Sequence, residues 1–134
     1  MSKIKPLVTE TLTLAVIVAV MHYVALTLFL YWRTEWFDVV MHFAGGFLIG
    51  LLAALLFYAS GIFSFPREHK GSVFAVVLGS VLVVGLGWEL WELFLGFTNV
   101  IADQVDTMQD IGMDILGGTA AFLYAKKSLW NKAN

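Results

Sequence analysis

The chain has 134 residues, 60% hydrophobic and 13% charged, with a formal net charge of −2 and a mean hydropathy of +0.83. So apolar and so lightly charged a composition excludes an ordinary soluble domain, and the length allows one domain, so residues 1–134 read as a single integral membrane domain. The absence of cysteine excludes disulfides, thiolate ligands and a cysteine nucleophile.

The apolar runs are about twenty residues long and do not alternate with period two, so the expected fold is all-α with membrane-spanning helices rather than a barrel. A short basic leader holds Lys3 and Lys5. The first span is expected from about Leu12 to Tyr31; its apolar run is too long for a signal-peptide core, and no small-residue cleavage site follows. A turn at Arg33, Glu35 and Trp36 leads to a second span, about Phe37 to Tyr58. Ser60 to Ser72 holds Gly, Pro, Arg67 and Lys70 and reads as a loop. The third span covers Val73 to about Phe97, and Thr98 to Gln109 is a polar, acidic connection. A fourth span starts near Asp106 or Asp110 and runs to about Tyr124, giving a four-helix transmembrane bundle.

Seven of the eight Lys and Arg lie in the N-terminus, the Ser60–Ser72 loop and the C-terminus. The positive-inside rule then makes both termini cytoplasmic in a multi-pass protein of the cell membrane, with the acidic connection outside. Trp32, Trp36, Trp88 and Trp91 fall near the outer boundary and Trp130 near the inner one, as expected for interfacial tryptophans.

Polar residues concentrate in the outer half. Six carboxylates, Glu89, Glu92, Asp103, Asp106, Asp110 and Asp114, lie between Gly87 and Gly118 with no interleaved Lys or Arg. Asp38 and His42 open the second span. By helical rise, Glu89 falls roughly 12 Å below the outer end of span three, Asp114 about 12 Å below Asp106, and His42 roughly 6 Å below Asp38. His22 falls at a level similar to Glu89. Asp38 and His42 are i and i+4; Asp106, Asp110 and Asp114 repeat that step; Glu89 and Glu92 are i and i+3. Each set therefore forms one stripe, as expected of groups facing a shared interior.

The chain also repeats itself. DVVMHFAGG (Asp38 to Gly46) and DIGMDILGG (Asp110 to Gly118) share the aspartate, the methionine and the paired glycines, with His42 aligned to Asp114. Both enter from outside, so a parallel two-helix internal repeat is expected, with a pseudo-two-fold along the membrane normal. Spans two and four would then be neighbours, Gly45 and Gly46 would face Gly117 and Gly118, and Glu89 would complete a pocket between His42 and Asp114.

The candidate metal ligands are Asp38, His42, Glu89, Glu92, Asp110 and Asp114, with Asp106 and His22 as secondary candidates. Hard oxygens with one or two imidazoles suit a divalent Mg, Mn, Zn or non-haem Fe ion. Such an ion would let so many carboxylates coexist and could polarise a phosphoryl oxygen or activate water. The rival reading is structural: Asp38 and Asp110 stabilise helix N-termini, Glu89 and Glu92 bond across the bundle, and Asp103 and Asp106 are solvated. Neither HExxH nor ExxH is present. No cofactor other than a metal is expected, and no catalytic residue stands out.

The order Asp38-x-x-x-His42, Trp88-Glu89-x-x-Glu92, Asp106-Thr107-x-x-Asp110-x-x-x-Asp114-x-x-Gly117-Gly118 resembles the VanZ-like group and its YjdF-like relatives, which are small helical membrane proteins. Asp38, His42, Glu89, Asp110 and Gly117 match the VanZ-like pattern. Glu92 stands where Gln is usual and Asp114 where Asn is usual, and the Arg expected before the last Asp is absent, which brings the chain closer to the YjdF-like side. VanZ itself implies low-level resistance to a lipoglycopeptide antibiotic, without a settled biochemical activity. The resemblance thus implies membrane architecture and a residue set rather than a reaction. The leading expectation is a cell-envelope protein whose outward-facing acidic and histidine pocket binds a divalent cation or a polar lipid headgroup, with metal-assisted chemistry open to it. Two alternatives stand beside it: a proton- or cation-coupled transporter subunit, whose path a homo-oligomer would complete, and a non-catalytic assembly factor. Membrane lipids are the expected partners; nucleic acid is not.

Overall fold

The computed structural model describes residues 4–60, 70–97 and 104–129. Its helices are α1 (Ile4–Thr27), α2 (Leu30–Arg33), α3 (Glu35–Ser60), α4 (Lys70–Leu95) and α5 (Gln104–Leu129). Among the described residues, three stretches are long and apolar enough to cross a membrane: Ile4–Thr27, Trp36–Tyr58 and Lys70–Leu95. α5 matches α4 in length, at 26 residues each, but its sequence carries three aspartates and two lysines. Their placement favours the helix: Asp106 lies in the first turn, and Lys126 and Lys127 in the last, where each complements the helix dipole.

Two terminations differ from the expected boundaries. α1 starts before Leu12 and stops at Thr27, short of Tyr31. The interruption is Phe29, held at φ 56°, ψ 36°, a left-handed conformation unusual for a side-chain-bearing residue. The chain then makes one further turn, α2, so Tyr31 and Trp32 belong to a separate short helix. α4 ends in a glycine cap. Gly96 takes φ 74°, its N–H donates to the Leu93 carbonyl (3.1 Å), and the Phe97 N–H donates to the Glu92 carbonyl (3.0 Å). This paired arrangement satisfies carbonyls that the last turn leaves free.

The most extensive helix contact is between α3 and α5. They run parallel: Gly46 meets Asp114, and Gly50 meets Gly118 and Ala121. The approach is close. A Cβ added at Gly46 would lie 2.7 Å from Asp114 Cα, and one at Gly117 would lie 2.7 Å from the Phe47 backbone nitrogen. Small residues are what permit backbones to approach so closely where lipid supplies no hydrophobic drive between helices. The glycines interdigitate rather than pairing as the repeat predicts. Gly45 has no neighbour within 4 Å of an added Cβ, and Gly118 meets Val81 of α4.

α4 runs antiparallel in the groove over α3 and α5, whereas α1 packs chiefly on α3 and touches α5 only slightly. The two halves of the expected repeat are therefore unequal in packing. At one end of the bundle an apolar cluster joins Leu7, Leu51, Ala54, Phe57, Val73, Val77, Ala121, Phe122, Ala125 and Leu129. The other end of the same helices is polar.

Candidate metal centre

Three lines of residues, each with a step of about one helical turn, converge on that polar end. On α3 the line is Asp38, His42, Gly46, Gly50, Ala54; on α5 it is Asp110, Asp114, Gly118; on α4 it is Val73, Val77, Val81, Gly85, Glu89. Each line is apolar or glycine along its length and ionisable at one end. Packing the apolar parts brings the ionisable ends together. Gly85 completes the fit, because a Cβ there would collide with Asp114 Oδ2.

His42 is the centre. Its Nε2 faces three carboxylates: Asp38 Oδ1 at 3.7 Å, Asp110 Oδ2 at 3.9 Å and Glu89 Oε1 at 4.0 Å. Its Nδ1 faces a fourth, Asp114 Oδ2 at 3.4 Å. His42, Asp110 and Asp114 are buried at 7%, 3% and 6% exposure. The Glu89 side chain is 10% exposed, and Asp38 is the most open at 22%. Glu89 Oε1 and Asp110 Oδ1 are buried without a hydrogen-bond partner, and the equally buried Asp114 Oδ2 has only the long 3.4 Å approach of His42 Nδ1. Buried carboxylate oxygens normally have partners, and a cluster of four around a single imidazole is costly without a compensating positive charge.

The spacings are informative. At 3.7–4.0 Å the Nε2 contacts are too long for hydrogen bonds. They fit ligands shared by one ion: with bonds of about 2.1 Å, two ligand atoms lie roughly 3–4 Å apart. Ligand atoms of Asp38, His42 and Asp110 all lie within 4.8 Å of one another, a buried group that can hold a metal ion. Asp114, on the other ring nitrogen, stands where a carboxylate would orient a metal-binding imidazole and fix its tautomer.

Glu89 borders this group, 4.0 Å from His42 Nε2, without belonging to it, and the remaining candidates lie farther outside. Glu92 Oε1 accepts a 2.9 Å hydrogen bond from Trp88 Nε1, one turn back on α4. Asp106 is exposed. His22 does not join the cluster; its Nδ1 shares a 2.7 Å hydrogen bond with the Tyr31 hydroxyl, and its ring meets Trp88 edge-on at 5.5 Å. Asp103, Ser64 and Trp130 lie outside the described residues.

Tyr31 is the polar group that sequence reasoning missed. Burial, and then the nearby Asp38 and Glu92 carboxylates, push its phenol up to about 12, so it stays protonated. The only signal in the sequence was an aromatic pair at a helix end, which reads equally well as an interfacial anchor. Two cavities meet around it. One of about 310 Å³ is lined by α1, α3 and α4 residues and reaches His42, Asp38 and Asp114. The other, about 410 Å³, is lined by Trp32, Trp91, Phe97, Glu92 and Asp106. His22, Tyr31, Asp38 and Trp88 line both, and Asp38 links the cavities to the cluster.

No curated protein and no solved structure matches the chain. A family profile described as a predicted membrane protein (DUF2238) matches residues 3–131. With nearly its whole length covered, the chain belongs to that family of predicted membrane proteins.

Proposed function

We propose that this chain is a multi-pass membrane metalloprotein that binds one divalent cation through His42 Nε2, Asp38 and Asp110, with Glu89 adding negative charge beside the ion and Asp114 orienting the imidazole from Nδ1. The observation that carries this reading is the Asp38–His42–Asp110 group, whose ligand atoms lie within 4.8 Å of one another, with Asp110 Oδ1 and the adjacent Glu89 Oε1 buried and lacking hydrogen-bond partners. A mixed set of one imidazole and hard oxygens suits Mg, Mn, Zn or Fe(II). Asp38, the most open ligand, faces the cavities and is the side from which a polar headgroup reaches the ion. A cation so placed would supply Lewis-acid polarisation of a phosphoryl or carbonyl oxygen.

In this reading α5 is the fourth span of a single bundle. Its polar face is covered by α3 and α4, which is why it need not be apolar all round. Both termini are cytoplasmic and the cluster lies in the outer half, as the distribution of Lys and Arg supports. The VanZ-like resemblance is kept as a cell-envelope role. The transporter reading is less well supported, because the apolar cluster of Leu51, Ala54, Val77, Ala121 and Phe122 lies across the path from the polar end to the other face.

The test is elemental analysis of protein purified without chelator. Wild type and Asp106→Ala should carry close to one divalent ion per chain. His42→Ala and Asp110→Ala should carry almost none while still inserting and eluting as the wild type does. Metal-free wild type, or full retention in both site variants, leaves only the structural reading.

A further inference from the structure

The α1 and α4 helices flank the same side of α3, yet no Cα of one comes within 8 Å of a Cα of the other among the described residues. The rings of His22 and Trp88 meet across this gap at its polar end. Elsewhere the gap is the cavity of about 310 Å³. Its walls are Ala15, Val18 and Ala19 of α1, Leu48 and Ile49 of α3, and Val81 and Val84 of α4. The polar groups on its lining, His22, Tyr31, Asp38, His42 and Asp114, belong to the cluster or its immediate surroundings. The lining from Ala15 to His22 and from Val81 to Trp88 runs roughly 10 Å along each helix, of which the apolar part is about 5–6 Å. The result is an apolar slot between two membrane helices with the candidate metal centre at its head.

We propose that this slot holds the hydrocarbon chain of a membrane lipid whose phosphate-type headgroup is held at the cluster through the cation. The proposal rests on the metal reading above and names the substrate class for that site. Three observations select this occupant. A slot that opens between two spanning helices borders on lipid. Its small volume, near the lower end of the roughly 300–1,000 Å³ typical of ligand sites, suits one chain rather than two. The carboxylates around His42 would repel a bare anion, whereas a bound cation makes the same place attractive to a phosphate oxygen. Asp38, partly exposed to the slot, marks where headgroup and ion meet.

Gly45 provides a way to close the slot without touching the cluster. It lines the cavity, and a Cβ added there meets nothing within 4 Å. Gly45→Leu therefore projects into the slot, and it also removes a glycine from a helix interior, which favours folding. Ala19→Phe closes the slot from the α1 side and serves as the second variant.

The experiment reconstitutes the purified protein in phosphatidylcholine vesicles with a photoactivatable lysophosphatidic acid carrying a diazirine in its single chain. A monoacylglycerol with the same chain is the headgroup control. Labelled peptides are mapped by mass spectrometry, and metal content is measured on the same samples. Labelling by the phosphate lipid should concentrate on residues 15–19, 45–49 and 81–84. It should fall at least tenfold in Gly45→Leu and Ala19→Phe with the metal retained, and be much weaker for the monoacylglycerol. Excess inorganic phosphate should displace little of it, since free phosphate gains nothing from the slot. Uniform labelling over outward residues such as Leu56 and Phe94, or labelling unchanged in both variants, overturns the proposal. Metal present without slot labelling overturns this inference alone. Slot labelling that survives in protein shown to be metal-free overturns the cation-held headgroup and the metal reading, and leaves the chain slot standing.

Discussion

Gly46→Ala tests the contact on which the site depends. The added Cβ would lie 2.7 Å from Asp114 Cα and 2.8 Å from its carbonyl carbon, both backbone atoms that cannot swing aside. Restoring an ordinary contact of about 3.7 Å requires α3 and α5 to part by roughly 1 Å at that level. Overpacking of this kind costs about 1–3 kcal/mol. Removing a helical glycine offsets this by up to about 1 kcal/mol. The neighbouring Gly45→Ala isolates the packing effect, because it carries the same propensity gain and its Cβ meets nothing within 4 Å. Gly45→Ala should therefore be unchanged or stabilised by up to about 1 kcal/mol, with Gly46→Ala about 1–3 kcal/mol below it. The assay is thermal unfolding in detergent, followed by loss of the monodisperse peak, with metal content measured on the folded fraction. Gly46→Ala should also lose bound metal, because Asp114 and His42 sit on the two surfaces being separated. Equal stability and equal metal retention in the two variants would refute the argument that this close contact assembles the cluster.

Cysteines at the exposed positions Arg33 and Gln104 should react with an impermeant reagent added outside, and those at Lys5 and Lys127 only after the membrane is opened; the reverse pattern would invert the orientation. Gly96→Ala forces a side chain into φ 74° and should destabilise the end of α4 by about 1–2 kcal/mol, read as faster amide exchange near Glu92 with little change near Val77. In an ultraviolet phenolate titration, Tyr31 should be absent from the groups ionising near pH 10 and should appear at about 12, so Tyr31→Phe removes the late step. The sign follows from the raised value: the neutral phenol is favoured in the fold, so its contribution to stability is complete below about pH 10 and is lost as pH rises towards 12. If Tyr31→Phe instead removes one of the groups ionising near pH 10 and leaves the late part of the titration unchanged, the phenol is not held in this way.

The gathering of the polar groups was legible because helical spacing is a strong constraint. Asp38 with His42, and Asp110 with Asp114, had to share faces, and only an interior position made sense of carboxylates in apolar helices. The glycines correctly marked the α3–α5 contact, but not which backbone each would meet, since interdigitation depends on the relative rotation of two helices and no single-helix pattern encodes that. His22 was expected at a level similar to Glu89 and does meet Trp88, the residue before it, yet it bonds to Tyr31 rather than joining the cluster. That bond depends on the break at Phe29, whose left-handed backbone no residue preference announces. Which carboxylate faces Nδ1 and which face Nε2 is likewise a matter of ring rotation. The gap between α1 and α4 was invisible for a related reason: an apolar face turned to lipid and one turned to a slot have the same composition.

The most direct measurement is electron spin-echo spectroscopy of protein loaded with Mn(II). The account predicts a single ion with modulation from one directly bound imidazole nitrogen. That signal should be absent in His42→Gln, and it should persist with altered coupling in Asp114→Asn, because Asp114 orients the ring without binding the ion. Mn(II) coupled only to water, or a nitrogen signal that survives in His42→Gln, would contradict it.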